Sequence, residues 1–201
     1  IFVVHPKKKP FLIAVCIAAL LMFLGVQFIL ANADSLAESG FRMQRVLSWL
    51  KPEEYAADGS YQVTQALYAI GSGGVFGKGL GNSTQKMVIP EVQNDMILSI
   101  VCEELGIFGA LVVLFLFAFL LYRLLFIAQN APDMYGSLVA SGIFMHIALQ
   151  VIFNVMVVTK VMPTTGITLP FVSYGGTSIL FLMAEMGIAL NISRSIPLSG
   201  E

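Results

Sequence analysis

Residues 94–122 read NDMILSIVCEELGIFGALVVLFLFAFLLY. Two polar residues, Asn94 and Asp95, open directly into an apolar run that carries only Glu103 and Glu104 as charges. A stretch this long and this apolar exceeds the roughly 20 helical residues that cross the hydrocarbon core of a bilayer. The spacing predicts a membrane helix over 96–122, with Arg123 at its far end. A carboxylate, Asp95, then stands where a polar loop meets that helix.

Working outward, the same pattern recurs. Phe11 to Ala31 holds no charge and follows the basic collar His5-Pro6-Lys7-Lys8-Lys9-Pro10, which predicts a first membrane helix over 11–31 with a cytoplasmic start. Further helices are expected over 135–158 and 177–192, separated from their neighbours by the Gln129–Asp133 turn and by a Pro-, Gly- and Thr-rich loop. The chain has 201 residues, of which 57% are hydrophobic and 11% charged, and its mean hydropathy is +0.85. Those values fit an all-α, polytopic membrane bundle of about four helices, read as a single membrane domain over 1–201. Four crossings put Arg123 and Arg194 on the cytoplasmic side and the loops 32–95 and 159–176 on the outer face. A net charge of −1 gives no basis for a nucleic-acid partner. Cys16 and Cys102 sit in apolar runs and read as small buried hydrophobes. No secretory leader with a cleavage site is visible.

The outer loop 32–95 is patterned. Arg42 to Leu50 has helical spacing, with Met43, Val46, Leu47 and Leu50 on one face and Pro52 as a stop, which suits a helix lying at the membrane surface. Tyr61 to Ile70 predicts a second short helix. It runs into the glycine-rich stretch Gly71–Asn82, which lacks the P-loop pattern: Ser72 and Gly79 stand where Gly and Ser or Thr are needed. That stretch reads either as a flexible connector or as backbone able to approach an anion beside Lys78.

Asp95 has two readings. It can cap the helix that follows, or it can act as a general base whose partial desolvation makes it more basic. Glu103 and Glu104 point about 100° apart on one helix, so they cannot share a partner; hydrogen bonds to His146, Asn154 or Glu185 are the simplest use for at least one of them. Gly106 and Gly109 beside them favour close helix contact. His146, Gln150 and Asn154 follow each other at i, i+4 and read as a polar seam. No metal-ligand spacing and no Ser/His/Asp or Cys/His set is present, although loop carboxylates together with phosphates could hold a divalent cation.

Several stretches together resemble one family. They are Arg42–Leu50, Gly59-Ser60-Tyr61-Gln62, Ala69 to Ser83, Gln85-Lys86, Pro90-Glu91 to Asp95, Glu103-Glu104-Leu105-Gly106 and, most distinctively, Pro163-Thr164-Thr165-Gly166-Ile167-Thr168-Leu169-Pro170-Phe171-Val172-Ser173-Tyr174-Gly175-Gly176-Thr177-Ser178. The chain is similar to the SEDS proteins of bacterial wall synthesis (FtsW, RodA, SpoVE), nearer to FtsW or SpoVE than to RodA. The resemblance runs from about Arg42 to Arg194 and covers the last four helices of a ten-helix fold. It implies a peptidoglycan glycosyltransferase of the plasma membrane that polymerises lipid II, paired with a class B penicillin-binding protein. It also places the family's essential outer-loop aspartate on Asp95. Gln93-Asn94 stand where the family commonly has His-Thr, Met87 where division-type members often have an acid, and Thr165 where they have Lys.

On that reading Asp95 takes the proton of an acceptor sugar hydroxyl. The diphosphate of the undecaprenyl-linked donor is held by cations drawn from Arg42, Arg45, Lys78, Lys86 and Lys160, with Glu91 as a second carboxylate and Ser173 as a further substrate contact. Two rival readings stay open. A flippase or transporter would depend on the intramembrane Glu103, Glu104, Glu185 and His146. A non-catalytic scaffold for a penicillin-binding protein would tolerate loss of Asp95.

Overall fold

The computed structural model describes residues 17, 20, 24, 25, 27, 31, 32, 41–50, 58–89 and 92–196. The chain divides into two compact units, Ile1–Ala57 and Asp58–Glu201. The expected first membrane helix, 11–31, lies largely outside the described residues; those that are described there, such as Leu20, Leu24 and Gln27, are helical and exposed. The first unit also holds α1, Phe41–Leu50, on which Leu47 and Ser48 are buried and Met43, Val46 and Leu50 half-buried. The apolar spacing read from the sequence is thus the spacing of the covered face.

The second unit is α2 (Asp58–Gly73), a single 3-10 turn (Gln85–Met87), α3 (Ile97–Asn130), α4 (Met134–Val158) and α5 (Gly176–Arg194). No strand occurs among the described residues. The last three helices are long and apolar enough to cross a membrane. Asp133 starts α4 by accepting the Gly136 N–H at 2.8 Å, and Pro132, which cannot continue a helix, separates it from α3. One apolar core joins the elements. Val63 and Ala66 of α2, Ile89, Val92 and Met96 of the loop, Leu98 and Ile100 of α3, Ile147 and Val151 of α4 and Leu182 of α5 all belong to it. Loop residues at the helix entrance are therefore anchored by burial as firmly as the helices. A fully buried side chain the size of Met96 contributes about 1.5–3 kcal/mol.

Two expectations for the helix after Asp95 are corrected. It does not end near Arg123 but runs to Asn130, because Ile127 and Ala128 are buried against Ala140 of α4, with Ile192 packing on the same cluster. Arg123 lies within the helix, its guanidinium 5.8 Å from the centre of the Phe126 ring. Nor is α3 one continuous rod. Gly106 has φ 72° and ψ −175°, a conformation that only glycine adopts without strain. The break divides α3 into an upper arm, 97–105, and a lower arm, 107–130. At 1.5 Å per residue the lower arm alone is about 36 Å long, enough for the ~30 Å hydrocarbon core. Glu103 and Glu104 thus belong to the arm above the break, whereas the sequence reading set them inside an unbroken membrane helix.

Candidate functional site

A break in a membrane helix strands backbone groups, and each one left unpaired in an apolar setting costs several kcal/mol. The glycine-rich loop after α2 supplies the missing partners. Lys78 N–H donates to the Glu103 carbonyl and Gly79 N–H to the Glu104 carbonyl, both at 2.9 Å. In return Ile107 N–H donates to the Gly74 carbonyl at 3.0 Å and Phe108 N–H to the Val75 carbonyl at 3.2 Å. Such backbone-to-backbone docking leaves no room for side chains. A methyl group on Gly106 would run into the Val75 carbonyl, and one on Gly77, where φ is 77°, into the Glu104 carbonyl. The loop is therefore a plug for the helix break, not the flexible connector that its glycines suggested. The close contact at Gly106 is with this loop, whereas the sequence had pointed to a neighbouring helix.

The plug carries a charge network. Glu103 is fully buried. One of its oxygens accepts from the Lys78 ammonium at 2.6 Å, the Thr84 hydroxyl at 2.9 Å, and the Ser72 hydroxyl and the Thr84 N–H at 3.3 Å. Its other oxygen accepts from the Ser83 hydroxyl and from the Gln85 N–H, the latter at 3.3 Å. The Ser83 oxygen in turn accepts the Lys86 N–H at 3.1 Å. Glu103 thus caps the 3-10 turn Gln85–Met87. Its partners are not His146, Asn154 or Glu185, as the sequence suggested, because the break turns Glu103 toward the loop. Glu104, its neighbour, leaves one buried carboxyl oxygen without a partner among the described residues.

Asp95 stands at the mouth of α3 and is half-buried. The helix cap position is taken by Met96, whose side chain makes no capping bond, so Asp95 lies one residue before it. Its backbone is clamped. Asn154 of α4, fully buried, donates through its amide to the Asp95 carbonyl at 2.7 Å and to the Ile167 carbonyl at 2.9 Å. Tyr174 N–H donates to the Gln93 carbonyl at 2.8 Å. The turn 92–95 is thereby fastened to the loop between α4 and α5, the loop that carries the Pro163–Ser178 sequence.

That second loop is itself strained and internally tied. Phe171 has φ 62°, and the Val172 N–H folds back to the Pro170 carbonyl at 2.8 Å, a tight γ-turn of the less stable hand. Ser173 holds it closed: its N–H donates to the Leu169 carbonyl at 3.0 Å and its oxygen accepts the Leu169 N–H at 2.7 Å. Ser173 is buried, so its oxygen is engaged within the loop. Lys160 ends α4 with φ 61°, where glycine is the usual residue. Val161 N–H reaches the Met156 carbonyl at 2.8 Å and Lys160 N–H the Val157 carbonyl at 3.0 Å, the bonding of a Schellman cap. Non-glycine residues held at positive φ mark functional loops more often than chance.

The other sequence candidates fall in different places. Lys86 is exposed, in the middle of the capped turn. Arg45 is half-buried on α1 in the first unit. Glu91 and the side chain of Arg42 lie outside the described residues. His146, Gln150 and Asn154 do not form one seam. His146 Nδ1 lies 3.0 Å from the Glu185 carboxylate on α5, Gln150 keeps a buried oxygen without a partner among the described residues, and Asn154 serves the Asp95 clamp.

The clamp and the plug fix a loop carboxylate at the head of a membrane bundle, and known proteins share this sequence and architecture. The family model described as cell cycle protein, FtsW/RodA/SpoVE, matches residues 2–197. The chain belongs to the FtsW/RodA/SpoVE family. Among its FtsW/RodA/SpoVE relatives, stage V sporulation protein E of Bacillus subtilis (strain 168) is 46% identical over 174 residues, which are 86% of this chain and 48% of that protein. The probable peptidoglycan glycosyltransferase FtsW of the same organism is 43% identical over 182 residues, 87% of this chain and 45% of that protein. The chain spans about half the length of these curated relatives. Two solved structures share the fold. One describes the structural coordination of polymerization and crosslinking by a peptidoglycan synthase complex (TM-score 0.61, 29% identity, 88% of this chain and 49% of that one). The other is a mutant of the Thermus thermophilus rod shape determining protein RodA (TM-score 0.51, 27% identity, 85% of this chain and 64% of that one). As in its FtsW/RodA/SpoVE kin, the architecture is a membrane helix bundle.

Proposed function

We propose that this chain is the carboxy-terminal part of a peptidoglycan glycosyltransferase, with Asp95 as its general base. The observation that carries the reading is the clamp on Asp95: a half-buried carboxylate at the entrance of α3, its backbone held by the fully buried Asn154. Relatives named probable peptidoglycan glycosyltransferase at 43% and 41% identity support the reaction class. The substrate is lipid II. The acceptor's sugar hydroxyl attacks the anomeric carbon of the donor, and its proton passes to the Asp95 carboxylate. The bond from that carbon to the diphosphate oxygen breaks, and undecaprenyl diphosphate leaves with the electron pair. A positioned base contributes about 10²–10⁴-fold, and cations at the leaving group contribute much of the rest.

Both units belong to one domain in the bacterial plasma membrane, with the loops 32–95 and 159–176 on its outer face and a class B penicillin-binding protein as partner. A solved peptidoglycan synthase complex of the same fold supports the partner. The transporter reading loses ground because Glu103, one of the four residues on which it rests, is engaged by the loop through both carboxyl oxygens.

The test is lipid II polymerisation by the full-length protein with its partner. Asp95→Asn is expected to lower the rate by at least about 100-fold while folding and partner binding persist. Polymerisation by Asp95→Asn at the wild-type rate would exclude Asp95 as the base.

A further inference from the structure

The network around Glu103 has a use beyond closing the helix break. We infer that Glu103 is a positioning residue for Lys86, and that Lys86 is the cation on which the leaving diphosphate rests. This inference rests on the glycosyltransferase reading.

Two lysines lie in the described loop between α2 and α3, and the structure assigns them different tasks. The Lys78 ammonium is bonded to Glu103 at 2.6 Å and lies 3.3 Å from the Thr84 hydroxyl. It neutralises a buried carboxylate, so moving to a substrate would leave that charge unpaired. The Lys86 side chain is exposed, and no group of the protein pairs with it among the described residues. Its backbone is nevertheless fixed. The carboxylate of Glu103 takes the N–H groups of Thr84 and Gln85 and the Ser83 hydroxyl, and Ser83 takes the Lys86 N–H. Downstream, Ile89 and Val92 are buried in the core, and Asp95 follows within the clamp.

A buried carboxylate is costly, and here four of its six hydrogen bonds go to Ser83, Thr84 and Gln85, the three residues just before Lys86. The turn itself buries no side chain. Burial therefore does not hold it, and the Glu103 cap does. The result is an ammonium with no partner among the described residues, on a preorganised turn in the same loop as the proposed base. A diphosphate gains negative charge as it leaves, and a fixed ammonium stabilises that charge without reorganising at the moment of reaction.

The experiment is a double-mutant cycle on full-length protein with its partner, using lipid II as substrate and separating kcat from KM. Lys86→Ala is expected to lower kcat about 10-fold or more, with a smaller change in KM, and Lys86→Arg to restore most of it. Glu103→Gln is expected to lower kcat to a similar degree in the wild-type background and less than about 2-fold further in the Lys86→Ala background. Ser83→Ala, which leaves the Lys78–Glu103 pair in place, is expected to show the same non-additivity and serves where Glu103→Gln does not fold. Multiplicative losses would mean that Glu103 acts by general stability, and full activity of Lys86→Ala would remove its role; either result overturns the inference. Polymerisation unaffected by Asp95→Asn instead overturns the glycosyltransferase reading itself, and this inference with it.

Discussion

Gly106 decides the shape of α3 and of the loop docked on it. With φ 72° and ψ −175° it breaks α3, and the Val75 carbonyl fills the space a side chain would need. Gly106→Ala is expected to destabilise the protein by about 2–4 kcal/mol, read as a fall in thermal midpoint in detergent. The Lys78–Glu103 pair makes the matching case for charge. Lys78→Met leaves a fully buried carboxylate without its counter-ion; since the lysine side chain is 32% exposed, water offsets part of the loss. A cost of about 1–3 kcal/mol is expected, and the double variant Lys78→Met with Glu103→Leu should lose less than the sum of the single ones. Additive losses in that cycle would show that the pair is not coupled. The role of Glu103 was hidden in the sequence for a plain reason. Its donors lie 18 to 31 residues upstream, and nothing local to the run 96–122 marks the glycine on which the helix breaks.

Among the elements, the long helices were legible because uniform apolar runs leave few alternatives. The expected 135–158 and 177–192 correspond to Met134–Val158 and Gly176–Arg194. The same uniformity hid the break in α3, since a run that is apolar all round looks alike in one piece or two. The position of Asp95 at the loop–helix junction was legible too, but its clamp was not: Asn154 lies 59 residues away and read as one member of a polar seam. Asn154→Ala removes both amide bonds, to Asp95 and to Ile167, and leaves two carbonyls short of a donor. A loss of about 2–3 kcal/mol is expected, with a fall in kcat larger than the loss of folded protein explains. At the end of α4, Lys160 occupies a glycine position. Lys160→Gly is expected to raise stability by up to about 1 kcal/mol, and a fall in stability instead would show that the side chain holds the cap.

At the scale of the whole molecule, the account requires the plug, the capped turn and the clamp to share the outer face of the membrane. Met87, 96% exposed at the end of the capped turn, is a convenient reporter. Met87→Cys is expected to react with a membrane-impermeant maleimide on intact cells with the outer barrier removed. Asp133→Cys, in the exposed turn between α3 and α4, is expected to react only after the membrane is opened. The reverse pattern would invert the proposed topology and take the proposed base off the outer face. Cys102 is buried and should give no background signal. The bundle also carries a polar contact at mid-height, His146 with Glu185, at the middle of α4 and α5 and only partly covered. Such a pair is costly against lipid, which favours a protein or water surrounding for that face in the full-length molecule.

The central claim is that Asp95 is the base of a glycosyl transfer and that the rest of the loop holds it in place. Lipid II polymerisation by the full-length protein with its partner, wild type against Asp95→Asn, tests it most directly. The substitution keeps the size of the side chain, and the Asn154 bond to the Asp95 backbone carbonyl does not depend on it. Loss of glycan strands by a folded, partner-bound Asp95→Asn protein is the predicted result. Strands made at the wild-type rate would contradict it.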